Sequence, residues 1–146
     1  MSVIFVIGQS CSGKSTYIKK FFPDSMVVDL YNYQDKVITV QSVFDAYNKC
    51  KDALIDALKQ SDNVILEHTL SKRIRREDYI NAVRSVTDAP IECIVIQPDK
   101  NVIIANAKKR GIKLHEDMVT DYLEFFEMPS VNEGFSKVTL VSSFDL

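Results

Sequence analysis

Gly8-Gln9-Ser10-Cys11-Ser12-Gly13-Lys14-Ser15-Thr16 is the stretch that decides the fold of this chain. Gly8, Gly13, Lys14 and Ser15 meet the spacing G-x-x-x-x-G-K-[ST], the Walker A pattern. Each position has a physical task. The glycines let the backbone turn tightly and aim its N–H groups inward. Those amides, with the positive end of the helix that follows, form a nest for phosphate oxygens. Lys14 then reaches the β- and γ-phosphates, and Ser15 puts its hydroxyl on Mg²⁺. Thr16 is expected to donate to the α-phosphate. The stretch therefore predicts a site for ATP with Mg²⁺ built from Gly8, Ser10, Cys11, Ser12, Gly13, Lys14, Ser15 and Thr16. Cys11 is read as a filler of the loop.

The flanks supply the context the pattern needs. Residues 3–7 are a continuous apolar run, β-branched and aromatic, which predicts a strand buried on both faces. Residues 14–22 read as a helix stopped by Pro23. A second strand is expected over 26–28, ending at Asp29, while 30–41 fits no simple pattern. Ser42 is the expected N-cap of a helix reaching residue 60, with Val43, Tyr47, Cys50 and Leu54 at helical spacing. A third strand over 64–66 ends at Glu67. Ser71 should cap a helix over 72–86, and a fourth strand covers 91–96. Asp99 should cap a helix ending near Arg110-Gly111. A helix over 115–127 carries Met118, Tyr122, Phe125 and Phe126 as its expected core stripe, and a fifth strand covers 138–141. Strands alternating with helices predict an α/β domain, a three-layer sandwich on a five-stranded, mainly parallel sheet. One domain over residues 1–146 is expected.

Composition narrows the function. The chain has 146 residues and is 46% hydrophobic, enough to bury roughly two thirds of its unfolded surface. A net charge of −2 argues against wholesale coating of nucleic acid, which needs a basic surface. Cys11, Cys50 and Cys93 lie far apart, and neither they nor the two histidines show metal-ligand spacing. They read as reduced thiols, so a cytoplasmic location is expected. The first residues lack the basic start of a leader, and no apolar run is long enough to span a membrane. Among P-loop folds, the length suits a kinase better than a motor. A GTPase needs N-K-x-D to read guanine, and Asn48-Lys49-Cys50-Lys51 departs from it at the last position.

Four segments, taken in order, resemble a known family. They are the loop from Gly8 to Thr16, then Val64-Ile65-Leu66-Glu67-His68-Thr69-Leu70, then Arg73, Arg75 and Arg76, then Ala107-Lys108-Lys109-Arg110-Gly111. Together they resemble the P-loop kinase domain of phage-type polynucleotide 5′-hydroxyl kinases and their small relatives, over residues 1–126. The resemblance implies a transferase that moves the γ-phosphoryl group of ATP, with a lid at about residues 105–115. Ala105-Asn106 stands where that family carries its first lid arginine.

On this resemblance Asp29 is the expected general base, with Asp35 in reserve, because a carboxylate there can take the proton of an acceptor hydroxyl. Glu67 is expected to orient Mg²⁺ through water, beside Ser15, or to hold substrate, and Thr69 to assist at the acceptor. His68 is read as structural. Arg110 on the lid would stabilise charge on the transferring group, with Lys14. The run Lys72, Arg73, Arg75, Arg76 has two readings. It is either a solvated face paired with Glu77 and Asp78, or an acceptor-phosphate site through Arg73 or Arg76. The acceptor is left open between a nucleic-acid 5′ end, a nucleoside or nucleotide, and a small metabolite. A non-catalytic ATP-binding regulatory module is the alternative of a different class.

Overall fold

Along the first strand Val3, Phe5 and Ile7 pack into one apolar cluster, and Ile4 and Val6 into another. Side chains alternate across a strand, so this strand is covered on both faces. The computed structural model describes residues 1–35 and 37–143. In it β1 (Ser2–Ile7) lies at the centre of a five-stranded sheet. Its neighbours are β2 (Met26–Asp29), β3 (Asn63–His68), β4 (Ile91–Ile96) and β5 (Lys137–Val141), in the order β2-β3-β1-β4-β5. Every pairing is parallel.

Helices cover both faces and make the three expected layers. On one face α1 (Lys14–Phe21) buries Ile18 against Ile4, Val6 and Ile65. On the other, α2 (Val40–Gln60) and α3 (Arg73–Arg84) bury Leu54, Leu58, Tyr79 and Val83 against Phe5 and Leu66. At one end α4 (Lys100–Lys109) and α5 (Glu116–Phe125) pack Ile103, Ala107 and Val119 around Cys11. In a parallel sheet all carboxyl ends point the same way, so the loops after β1, β2 and β3 meet at one edge. The register sets Asp29 of β2 opposite Glu67 of β3.

Several boundaries differ from those expected. Thr39, not Ser42, caps α2: its side chain accepts from the Ser42 amide while the Ser42 hydroxyl accepts from the Thr39 amide. The two hydroxyl residues form a reciprocal capping box, which moves the start one turn earlier. Leu30–Tyr33 is a 3₁₀ turn capped by Asp29. Lys72 precedes α3 without a side-chain cap, and Ser71 instead gives its carbonyl to the Glu127 amide. Asp99 caps α4 as expected, accepting from the Asn101 amide at 2.8 Å. The stripe on α5 splits. Phe126 packs on the core, but Met118 and Phe125 are 54% and 60% exposed. A helix resting on other helices at the end of the sheet buries a narrower stripe than one lying across it.

All three cysteines are free and buried. Among the described residues no helix is long and apolar enough to cross a membrane.

Candidate active site

The loop after β1 is shaped by contacts only glycine allows. A Cβ on Gly8 would sit 2.6 Å from the Ile96 carbonyl oxygen and 2.7 Å from Ser12 Oγ. Gly13 and Cys11 take positive φ, +100° and +66°. Glycine holds such a backbone without strain, and cysteine holds it at a cost of order 1 kcal/mol. Burial of the Cys11 side chain among Ile103, Ala107 and Val119 offsets that cost. The loop then feeds directly into α1, whose first amides face the space the loop encloses.

That space is a cavity of about 730 Å³. Ser10, Cys11, Ser12, Gly13, Lys14, Ser15, Thr16, Asp29, Glu67 and Arg110 all line it. The structure thus brings together the loop, both strand-end carboxylates and Arg110 at the end of α4. Gly8 lies just behind, giving its carbonyl to Lys14 Nζ at 2.7 Å; Gln9 gives its own at 2.8 Å. Burial pushes the Lys14 ammonium down to about 8, against the pull of Glu67 and Asp29. An incoming phosphate would replace the two carbonyls with a full negative charge.

Ser15 Oγ donates to Glu67 Oε1 at 2.6 Å. Burial first, and then the Asp29 carboxyl beside it, pushes Glu67 up to about 7. Asp29 is half-buried and accepts the Tyr31 amide at 3.0 Å. Ser15, Glu67 and Asp29 offer hard oxygen donors of the kind Mg²⁺ takes. Among the described residues no three His, Cys, Asp or Glu side chains form a metal-holding group. A cation here would therefore complete its shell with phosphate oxygens and water. Ser12 Oγ fits the same reading. It lines the cavity, is buried, and has no hydrogen-bond partner among the described residues. A phosphate oxygen would satisfy it.

Other expected site residues lie elsewhere. Arg76 is fully buried, with Nε 2.7 Å and Nη2 3.1 Å from the two Glu133 carboxylate oxygens. Its Nη1 donates to the Leu70 carbonyl at 2.9 Å. All its geometry serves the interior, so it is not open to an acceptor phosphate. Helical spacing carried the signal: Arg76 shares the inward face with Ile80 and Val83. Arg73 is exposed, pairs with Glu77 at 3.2 Å, and does not line the cavity. Thr69 is also outside it, its carbonyl taking the Tyr122 hydroxyl at 2.8 Å. Asp35 is exposed and does not line the cavity either. His68 is structural, as read from the sequence, its ring buried against Tyr47 and Tyr79.

Tyr31 and Lys19 line the cavity without having been expected there, and Lys109 and Asn106 line it from the segment expected as a lid. Asn106 Nδ2 donates to the Cys11 carbonyl at 3.0 Å, and Arg110 Nη1 lies 3.7 Å from Cys11 Sγ. Asn106 precedes Arg110 by four residues, so the spacing from Arg110 places both on one face of α4.

A family model described as AAA domain matches residues 3–129. The chain belongs to the AAA domain family. The polynucleotide-kinase resemblance also finds a counterpart. The chain is 28% identical over 141 residues to the bifunctional polynucleotide phosphatase/kinase of Schizosaccharomyces pombe, covering 93% of this chain and 32% of that protein. The chain thus spans about a third of the length of that curated relative. Among solved structures it is similar to a gluconokinase from Sinorhizobium meliloti, with a TM-score of 0.67 and 15% identity over 97% of this chain and 82% of that one. It is also similar to a deoxyadenosine kinase from M. mycoides, with a TM-score of 0.55 and 18% identity over 96% and 90%. These two establish the fold of this AAA domain protein as the P-loop kinase type.

Proposed function

We propose that this protein is an ATP-dependent phosphotransferase, moving the γ-phosphoryl group of ATP to a hydroxyl, foremost that of a polynucleotide 5′ end. The observation that carries this reading is the pairing of Asp29 with Glu67 across two strand ends, in one cavity with Lys14 and Arg110. The acceptor oxygen attacks the γ-phosphorus, the bond to the β-bridging oxygen breaks, and ADP leaves. Asp29 takes the hydroxyl proton, while Lys14 and Arg110 balance charge on the equatorial oxygens. Ser15 and Glu67 would hold Mg²⁺, which supplies Lewis-acid stabilisation to the phosphates. The loop amides and Ser12 Oγ orient the phosphate chain. The name of the Schizosaccharomyces pombe relative supports a polynucleotide acceptor. The three free cysteines support a reducing compartment such as the cytoplasm.

A second reading is a kinase of nucleosides or small metabolites. It is favoured by Arg73 and Arg76, which are bound to carboxylates rather than facing the cavity. The test is a screen of γ-phosphoryl transfer from radiolabelled ATP to 5′-hydroxyl DNA and RNA, nucleosides, nucleoside monophosphates and gluconate. Transfer to oligonucleotide ends supports the first reading, and transfer to small acceptors alone supports the second. The Lys14→Ala variant should transfer to none. A wild-type protein that binds ATP and transfers to no acceptor would be a binding module instead.

A further inference from the structure

The basic run that opens α3 has four cations, and three are committed. Lys72 Nζ donates to the Phe125 carbonyl at 2.7 Å. Arg73 pairs with Glu77, and Arg76 with Glu133. Arg75 differs. Its guanidinium carbon lies 5.2 Å from the centroid of Phe44 and 5.6 Å from that of Tyr47. Among the described residues its side chain forms no hydrogen bond or ion pair, so its N–H donors remain available. Two rings hold the cation by their faces, and no carboxylate among the described residues pairs with it.

The surroundings suit one kind of occupant. Phe44 is 44% exposed; Val40, one turn before it on α2, and Ile74, next to Arg75 in sequence on α3, are more exposed still. An aromatic and aliphatic surface around a bare, planar cation accepts an unstacked base on its face and a phosphate at its rim. An acidic peptide would use the cation but leave the rings uncovered. The patch also connects to the site. Tyr47 meets His68 edge-on at 4.8 Å, and His68 directly follows Glu67 in β3. At the cavity itself Tyr31 stands 69% exposed, two residues after Asp29.

We propose that Arg75, held between Phe44 and Tyr47, docks a single-stranded nucleic-acid segment lying 3′ of the reacting end. This rests on the polynucleotide reading of the cavity and names how that substrate is held. Nucleotides beyond the first would stack over Phe44 and give a phosphate to Arg75. Arg75 acts on affinity for long acceptors, and ATP and the chemical step do not depend on it.

The test is fluorescence anisotropy with a 3′-labelled, single-stranded 5′-hydroxyl oligodeoxynucleotide, run across a salt series. Wild type should bind it. Arg75→Ala should bind about tenfold more weakly, and its log–log salt slope should be shallower by about 0.7, one phosphate's share for a single strand. Phe44→Leu should lose affinity with the slope unchanged. Lys137→Ala, an exposed cation at the far end of β5, should match wild type. Arg75→Gln repeats the measurement if the alanine variant folds poorly by circular dichroism. Wild type failing to bind, or Arg75→Ala and Arg75→Gln binding like wild type, overturns the proposal. Transfer assays keep the two ideas apart. Arg75-dependent binding without phosphoryl transfer refutes the kinase reading alone. Transfer to oligonucleotide ends with KM unmoved by Arg75→Ala refutes the docking role alone.

Discussion

Ser15 Oγ and Glu67 Oε1 are 2.6 Å apart, a hydrogen bond joining the first turn of α1 to the end of β3. It ties the loop that cradles phosphate to the strand that carries the acid, across fifty-two positions of sequence. With Mg²⁺ bound as proposed, Ser15 would turn its lone pairs to the metal, and Glu67 would hold the hydroxyl proton out of the way. Glu67→Gln cannot accept in the same way with both oxygens, and it removes a charge from the metal's surroundings. The expected result is a 10–100-fold loss of Mg²⁺-dependent ATP affinity, the range seen when groups that orient metal ligands are replaced. Calorimetry with and without Mg²⁺ measures it. An equal loss without Mg²⁺ would assign Glu67 to the loop's architecture instead.

Arg76 and Glu133 form a bidentate pair with side chains 0% and 2% exposed. Removing one partner of such a pair strands a buried charge, at a cost of about 3–5 kcal/mol. Arg76→Ala should therefore unfold at much lower urea. Arg76→Met with Glu133→Gln should recover part of the loss, because no unpaired charge remains while the residue at 133 still caps the Ser130 amide. Acceptor KM of the folded double variant should equal that of wild type. A raised acceptor KM with normal stability would restore Arg76 to the substrate site.

These two sites show what a sequence discloses. The Walker A loop is legible because its ligands are consecutive residues and its glycines answer to backbone geometry alone. The central strand is legible because burial on both faces leaves no polar position in residues 3–7. The fate of Arg76 depends on Glu133, far along the chain, whose position is set only when the chain returns to the sheet through β5. Its inward spacing with Ile80 and Val83 was visible, but a charge on an apolar face has no obvious partner until the fold supplies one. The Asn106 bond to the Cys11 carbonyl is likewise tertiary. Ser42 reads as the cap from sequence, and the cap falls to Thr39 only through the reciprocal geometry of the two hydroxyls.

His68 sets an acid limit on stability. The Leu70 amide donates to its Nδ1 at 3.2 Å, and its Nε2 faces Tyr79 Oη at 3.1 Å. Tyr79 gives its own proton to the Tyr47 carbonyl. The network suits a neutral ring protonated on Nε2. Burial pushes His68 down to about 3, while the unfolded ring titrates near 6.5. The unfolded state therefore takes up a proton first as pH falls. Stability from this group is complete above about pH 6.5 and is lost progressively toward pH 3, by up to about 1.4 kcal/mol per unit. Urea unfolding between pH 7 and pH 4 should show that slope in wild type. His68→Gln should be less stable at pH 7 but shallower by about one proton. A variant with the wild-type slope would mean another group titrates.

Asp29 separates chemistry from binding. Its carboxylate accepts the Tyr31 amide at 3.0 Å and caps the Leu30–Tyr33 turn, so Asp29→Ala would disturb structure as well as chemistry. Asp29→Asn keeps an acceptor oxygen for that amide and keeps the volume, but cannot take a proton. A general base acts on the acceptor hydroxyl in the transition state, so its loss lowers kcat while ATP affinity holds. The expected fall is roughly 10²–10⁴-fold, with an unchanged melting temperature. Glu67 supplies a second readout. The Asp29 carboxyl helps push Glu67 up to about 7, so neutralising it should bring Glu67 down. Carbon-detected NMR titration of the Glu67 carboxyl follows this without any turnover. A large kcat loss together with a lowered Glu67 places Asp29 beside Glu67 as the base. A wild-type rate would remove Asp29 from proton transfer. A matched loss of rate and ATP binding would make Asp29 part of the metal's surroundings, because only an interaction present in both ground and transition states weakens both equally.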